Sequence, residues 1–335
     1  MMKLIEGNSI DSLLWDALVK ASQVATWFQT QEAFAFFGGL SFLEAFAYAV
    51  ESDGGLKGVV VGYIQKDGGK MKQYFSRRAI VIGGPLLSED ITDEELVFLL
   101  SAMKKRLQKK AIFIETRNFN DYNRWRSVFE RSGFDYEPHY DVQVDTTSLE
   151  LVNSKLDRNR KRNIKKALDN GVVIEEHPSA DDLVQLYSML EELYTTKVKT
   201  PLFPFEFFEK LYGIPSSRFF LAKNAEGQLL DGLVCVVMNH RAVYAWLACG
   251  DDFNHKALSP SVMVNYAGVS YAAREGMPRF DFMGAGKPDD GGYGVRDFKL
   301  KFGGELVEYG RNVYVCNPLL YKIGVLGVKL LKRIN

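Results

Sequence analysis

The chain has 335 residues, 47% of them hydrophobic and 25% charged, which is longer than one typical domain and ordinary for a globular protein. Its 42 lysines and arginines balance 42 aspartates and glutamates, so no overall field draws it to nucleic acid and any such attraction needs a local patch. Cys235, Cys249 and Cys316 lie far apart, and His139, His177, His240 and His255 have no ligand spacing, so no metal and no cofactor are expected.

The opening MMKLIEGNSIDSLLWDALVK carries Glu6 and Asp11 and lacks the uninterrupted apolar core of a signal peptide. No stretch reaches the roughly 18 uncharged apolar residues that cross a bilayer. A cytoplasmic protein is expected. From Phe42, FLEAFAYAV reads as a strand, SDGG as a turn and LKGVVVGYI as a second strand. Asp67-Gly68-Gly69 turns into MKQYFSRRAIVI. After Gly83-Gly84-Pro85 comes a helix capped by Thr92 with Glu95 three residues on. The strand AIFIETR, a helix over 121–131, Gly133 and the strand FDYEPHYDVQVD complete the first half.

The second half repeats the order. Helices over 181–197 and 204–211 precede the strands SRFFLAKN, LLDGLVCVVMN and AVYAWLACG. A helix starts near Ser259-Pro260-Ser261 with proline in its first turn, followed by the strand RFDFMG, a short helix near 294–301 and the strand ELVEYGRNVYV. This repetition predicts an α/β (α+β) protein of two tandem GNAT-like lobes, with mixed sheets flanked by helices. The first lobe is expected over 1–148 and the second over 149–315, with 316–335 packing back on the first. In the GNAT plan two central strands splay apart and expose backbone groups to an acyl donor.

Near the start of the second lobe, K155-L-D-R-N-R160-K-R-N-I-K-K166 holds seven basic residues against one acid, and Gly171 is placed to end the helix. Ile164, Ala167 and Leu168 share a face, and Arg160 falls in line with it. Such a cluster is either a solvated helix or an anion site, with phosphates as the natural partners.

This run resembles the signature that opens the second lobe of the Fem-type (FemABX) peptidoglycan aminoacyltransferases. Trp27-Phe28-Gln29-Thr30 is similar to the family's amino-terminal opening. The segment from Asp281 to Tyr293 resembles its acidic, glycine-rich loop, and F298-K299-L-K-F302-G303-G304 its closing F-K-x-x-F-G-G signature. The resemblance spans about residues 25–315. It departs at A33-F-A-F-F-G-G39, where the family often carries a lysine and this chain has no positive charge.

The resemblance implies a cleft for a peptide-bearing acceptor, aminoacyl-tRNA as co-substrate and a peptidoglycan precursor or lipid-linked acceptor as partner. Acyl-CoA with a sugar amine or small metabolite is the alternative, and a catalytically silent binding module a third. The segment 251–261 lacks the glycine-rich pyrophosphate loop usual in CoA-dependent GNAT enzymes, which favours a donor other than CoA.

Attack of an amine on an activated ester needs approximation, a proton acceptor and a cation or donor at the oxyanion, not an acyl-enzyme nucleophile. Lys299 is the first candidate for the oxyanion or donor groups, flanked by Phe298 and Phe302 as anchors. Asp281 is a candidate proton acceptor, and Tyr293 a group that orients the acceptor. Arg160, then Arg296, are candidates for acceptor phosphate or carboxylate. The segment 317–335, apolar with interspersed Lys322, Lys329, Lys332 and Arg333, reads either as a helix packed on the first lobe or as one lying on the inner face of the membrane.

Overall fold

The computed structural model describes residues 2–66, 76–198, 201–248, 255–289, 291 and 293–334, with side chains as far as 326. The Asp67-Gly68-Gly69 turn, residues 71–75 of the strand expected after it, Cys249 and positions 251–254 fall outside the described residues. Two compact units divide the chain: Met1–Pro138 with Tyr309–Asn335, and His139–Glu308.

The first lobe runs β1 (Lys3–Glu6), α1 (Ser12–Ala21), α2 (Gln31–Gly39), β2 (Leu43–Ser52), β3 (Gly55–Gln65), β4 (Arg78–Gly83), β5 (Leu86–Leu87), α3 (Asp93–Leu107), β6 (Phe113–Asn118), α4 (Arg126–Arg131) and β7 (Asp135–Glu137). The second runs β8 (Tyr140–Asp145), α5 (Leu149–Lys155), α6 (Arg158–Asp169), β9 (Val173–Glu175), α7 (Ala180–Leu193), α8 (Phe205–Tyr212), β10 (Ser217–Lys223), β11 (Leu229–Met238), β12 (Ala242–Ala248), α9 (Pro260–Arg274), β13 (Arg279–Gly284), α10 (Gly294–Leu300) and β14 (Glu305–Glu308). The chain then returns to the first lobe with β15 (Arg311–Val315) and α11 (Pro318–Ile334).

The main sheet of the first lobe has the order β1-β2-β3-β4-β6-β15-β7, and that of the second, read from its β9 edge, β9-β10-β11-β12-β13-β8-β14. Both are antiparallel except for one pair at the same place, β4 with β6 and β12 with β13. The repetition read from the element string is therefore also a repetition of topology, and the fold is tandem GNAT-like α/β.

Two of the expected strands are each two strands. FDYEPHYDVQVD breaks at Pro138-His139, so that β7 pairs in the first sheet and β8 in the second. Pro138 has no N–H to carry a ladder onward. ELVEYGRNVYV breaks at Gly310, whose φ of 64° is open to glycine at little cost and whose Cβ would fall 2.3 Å from Tyr136. The expected boundaries at 148 and 315 move accordingly: β8 belongs to the second unit and β15 to the first. Each sheet thus receives a strand from beyond its own expected segment. Burial works against the Glu115 carboxylate on β6, but the guanidiniums of Arg117 (2.9 Å) and of Arg311 on β15 (2.6 Å) more than offset it and hold it below its ordinary range. That charge-assisted link fastens the returning strand.

Helix starts follow the local code. Thr92 and Glu95 form a reciprocal capping box on α3, and Asp157 caps α6 by accepting from the Asn159 amide. Helix α6 ends in a Schellman turn: the Val172 amide donates to Ala167 and Gly171 (φ 77°) to Leu168.

The amino-terminal F-Q-T stretch is a clamp. The Gln29 side chain donates to the Gly83 and Gly84 carbonyls, both at 3.0 Å, and accepts from the Thr26 amide. Gly83 and Gly84 both have positive φ. Gln29→Leu keeps the volume but leaves these buried groups short of partners, an expected loss of about 1–3 kcal/mol. A urea midpoint that falls at unchanged slope would register it.

Candidate functional site

The parallel pair at the centre of each sheet differs between the lobes. In the first, β4 and β6 pair along their whole length, from Arg78↔Phe113 to Gly83↔Asn118. In the second, β12 and β13 pair only at Ala242↔Arg279, Val243↔Phe280 and Tyr244↔Asp281. Beyond Tyr244 the strands separate, although β12 runs on to Ala248 and β13 to Gly284. Among the described residues, the central parallel pair parts in this way in the second lobe and not in the first.

The edge of that gap is a β-bulge. Register against β8 steps from Asp281↔Gln143 to Gly284↔Asp141, one extra residue on β13. Met283 takes a φ of 55° there, a left-handed conformation that costs a side-chain-bearing residue about 1–2 kcal/mol. Five hydrogen bonds surround it. Asp281 accepts from the Met283 amide (2.7 Å) and from Gln143 Nε2 (2.9 Å), and Lys299 Nζ donates to the Phe282 and Gly284 carbonyls, both at 2.7 Å, with Met283 O at 3.4 Å. Burial pushes the Lys299 ammonium down to about 8, against the opposing pull of Asp141 and Asp281. Burial pushes the Asp281 carboxyl up, with Arg279 and Lys299 drawing it back.

Lys299 reaches the bulge from α10, the helix of the F-K-x-x-F-G-G stretch. Phe302, fully buried, enters the core of the lobe beside Phe282, and Phe298 packs on it at 5.4 Å. Arg296 on the same helix donates to the Ala285 and Lys287 carbonyls at 2.9 and 2.6 Å and lies over the rings of Tyr140 and Tyr293. The two glycines seat the helix. Gly303 has a φ of 82° with Lys155 against its missing Cβ, and Gly304 has Val142 of β8 in the same position.

The structure brings Lys299, Asp281, Arg296, Tyr293, Phe298 and Phe302 together around α10, with two departures from expectation. Asp281, expected as a proton acceptor, is wholly enclosed with both oxygens engaged, so its contacts fix the bulge and no edge faces open space. Arg160, expected to carry its charge into a cleft, is buried; its guanidinium stacks over Phe298 at 4.3 Å and lies 5.2 Å from the Phe302 ring. The exposed cations of α6 are its neighbours Arg158, Lys161, Arg162, Lys165 and Lys166. At 3.6 residues per turn they fill the side opposite Arg160, Ile164 and Ala167. Leu168, expected on the buried side, is exposed. A groove of about 480 Å³ beside α10 is lined by Lys155, Asp157, Asp297, Leu300 and Lys301.

Sequence reasoning missed Gln143, Asp141 and Met283. Gln143 and Asp141 meet β13 only through pairing more than a hundred residues apart, and methionine gives no signal for a left-handed backbone.

The corresponding region of the first lobe is closed. Gln29 and Tyr122 hold the chain after β4, and the Glu95 carboxylate already occupies the start of α3, whose first turn carries Asp93, Glu94 and Glu95.

The model of the FemAB family matches residues 215–326, from β10 through most of α11. The resemblance to Fem-type proteins is borne out there. No curated protein matches the chain in sequence. Among solved structures, the crystal structure of FemX superposes with a TM-score of 0.71 at 16% identity, over 95% of this chain and 99% of that one. L-PGS from Bacillus licheniformis gives 0.58 at 14% identity, over 96% and 97%. A tandem GNAT protein from the clavulanic acid biosynthesis pathway gives 0.59 at 11%, over 95% and 99%. At these identities the structural likeness speaks for the fold. Together with the FemAB match it supports an aminoacyltransferase or N-acyltransferase. Among the described residues no group of histidine, cysteine, aspartate and glutamate is arranged to hold a metal ion.

Proposed function

We propose that the protein transfers an aminoacyl group from aminoacyl-tRNA to the peptide amine of a peptidoglycan precursor, with the donor ester held in the gap of the second lobe. The observation that carries this reading is the splaying of β12 from β13 beside a bulge braced by Lys299. A neutral amine attacks the ester carbonyl, the C–N bond forms, the C–O bond to the ribose breaks, and the amine's proton passes to the departing hydroxyl. An ammonium has three N–H groups. Two of those of Lys299 are held at 2.7 Å by the Phe282 and Gly284 carbonyls and the third has only a long contact, 3.4 Å, to Met283 O, so a developing oxyanion beside the bulge could displace that weak contact and meet the charge. Arg296, Tyr293 and the Arg160–Phe298 stack hold α10 in place for that task.

A tRNA donor is favoured over CoA by two features. The exposed side of α6 presents five cations to a phosphodiester backbone. The start of α9 offers little to a pyrophosphate: Pro260 at its first position lacks an N–H, and Ser259 before it is buried with a φ of 44°.

The test is transfer of a labelled aminoacyl group to a peptidoglycan-precursor peptide, from charged tRNA and, separately, from acyl-CoA. Transfer from charged tRNA alone is expected. Transfer from acyl-CoA alone would replace this reading, and no transfer from either would make the protein a binding module. In Lys161→Glu/Lys165→Glu the KM for charged tRNA should rise about tenfold at low salt and approach that of the parent at high salt.

A further inference from the structure

Helix α11 is apolar on two sides. One side is used: Leu320 is buried, and the Tyr321 ring meets Phe113 of β6 edge-on at 5.4 Å. The other is open. Leu319, Ile323 and Leu326 are 69%, 45% and 59% exposed, and their spacing of four and three residues places them in one stripe along the helix. Lys322 lies beside the stripe, and the sequence beyond Leu326 adds Lys329, Lys332 and Arg333. Residues 317–335 contain no acid.

We propose that α11 lies in the plane of an anionic membrane surface, with the Leu319–Ile323–Leu326 stripe entering the headgroup boundary. Docking on β6 through Leu320 and Tyr321 leaves that stripe as the outer side of the first lobe at this helix. Three neighbouring exposed aliphatic side chains bind an interface through the area they remove from water, and flanking lysine and arginine add attraction to anionic lipid. Spanning is not the arrangement: among the described residues no helix is long and apolar enough to cross a membrane. A second copy is disfavoured, because two symmetric α11 helices would set Lys322 and its basic neighbours against each other with no acid to pair them. Binding of α11 to a membrane requires neither a particular donor nor turnover.

The test is co-sedimentation of the full chain with vesicles of phosphatidylcholine alone and with vesicles in which phosphatidylglycerol replaces part of it. Binding is expected to the mixed vesicles at low salt, weakened by high salt. Leu319→Gln/Ile323→Gln/Leu326→Gln, which keeps Leu320 and Tyr321, should lower the partition coefficient at least about tenfold with an unchanged circular dichroism spectrum. Failure of the parent to bind mixed vesicles overturns the proposal, as does equal binding by the folded variant. A concentration-dependent dimer that the three substitutions abolish, without vesicle binding, assigns the stripe to a second copy instead.

Discussion

Replacing Lys299 by alanine should lower transfer about 100- to 1,000-fold, the scale on which preorganised oxyanion donors act, while the second lobe stays folded. The bulge at Met283 is a strained backbone that something must impose, and Lys299 binds the carbonyls on both sides of it, at Phe282 and Gly284. A cation held there in a partly dry setting is worth more to a developing oxyanion than one in water. Lys299→Arg keeps the charge and removes the point geometry, so it should recover only part of the rate. The pH dependence separates this role from that of a base. With the ammonium pushed down to about 8, the rate should fall as pH rises through that value, and the limb should disappear in Lys299→Arg. A rate that instead climbs through pH 8 would make the neutral amine the active form. Turnover at the parent's level in Lys299→Ala would remove the assignment altogether.

The same shift has a consequence for stability with a defined sign. The folded value of about 8 lies below the ordinary 10.5, so between them the unfolded chain binds more proton. The lysine's penalty on folding is complete below about 8 and is relieved as pH rises toward 10.5.

The glycine pair after Phe302 carries the second large effect. Gly303→Ala should destabilise the protein by about 2–4 kcal/mol, because a left-handed backbone and an overlap coincide. Its φ is 82°, and an added Cβ would meet Lys155 Cβ at 2.6 Å and Lys155 O at 2.9 Å. Two controls divide the causes. Gly304→Ala adds only overlap, with Val142 Cγ1 at 2.5 Å, and should cost about 1–3 kcal/mol. Gly227→Ala, at φ 81° with nothing within 4 Å, adds only backbone strain, about 1 kcal/mol. Chemical denaturation of the three variants gives the ranking directly. If Gly303→Ala is no worse than Gly227→Ala, the close approach of α10 to α5 does not constrain the helix as its geometry implies. Because α10 also carries Lys299, transfer should fall with stability in Gly303→Ala and hold in Gly227→Ala.

Much of the local architecture was legible in the residues themselves. Thr92 with Glu95, Gly171 after α6 and Pro260 at the start of α9 each announce a helix end through geometry that is settled within a few positions. Short apolar runs bounded by turn residues, such as SRFFLAKN and RFDFMG, likewise announced their strands. Recurrence of these elements in one order was enough to expect two similar lobes, and F-K-x-x-F-G-G was enough to single out Lys299, Phe298 and Phe302 before their surroundings were known.

Other features waited on the tertiary structure. That β8 joins the second sheet and β15 the first depends on partners far away in the chain, and the breaks at Pro138 and Gly310 look like ordinary turn residues until those partners are known. Which lobe opens is a matter of where the pairing of β12 with β13 stops, a relation between strands that neither strand encodes alone. The fate of the basic helix was decided in the same way. Its charges are plain in sequence, but only packing against Phe298 and Phe302 buries Arg160 and turns its five neighbours to solvent. A hydrogen bond within one turn can be read from the residues of that turn. A cation's neighbours across a core are set by how the whole lobe fills space.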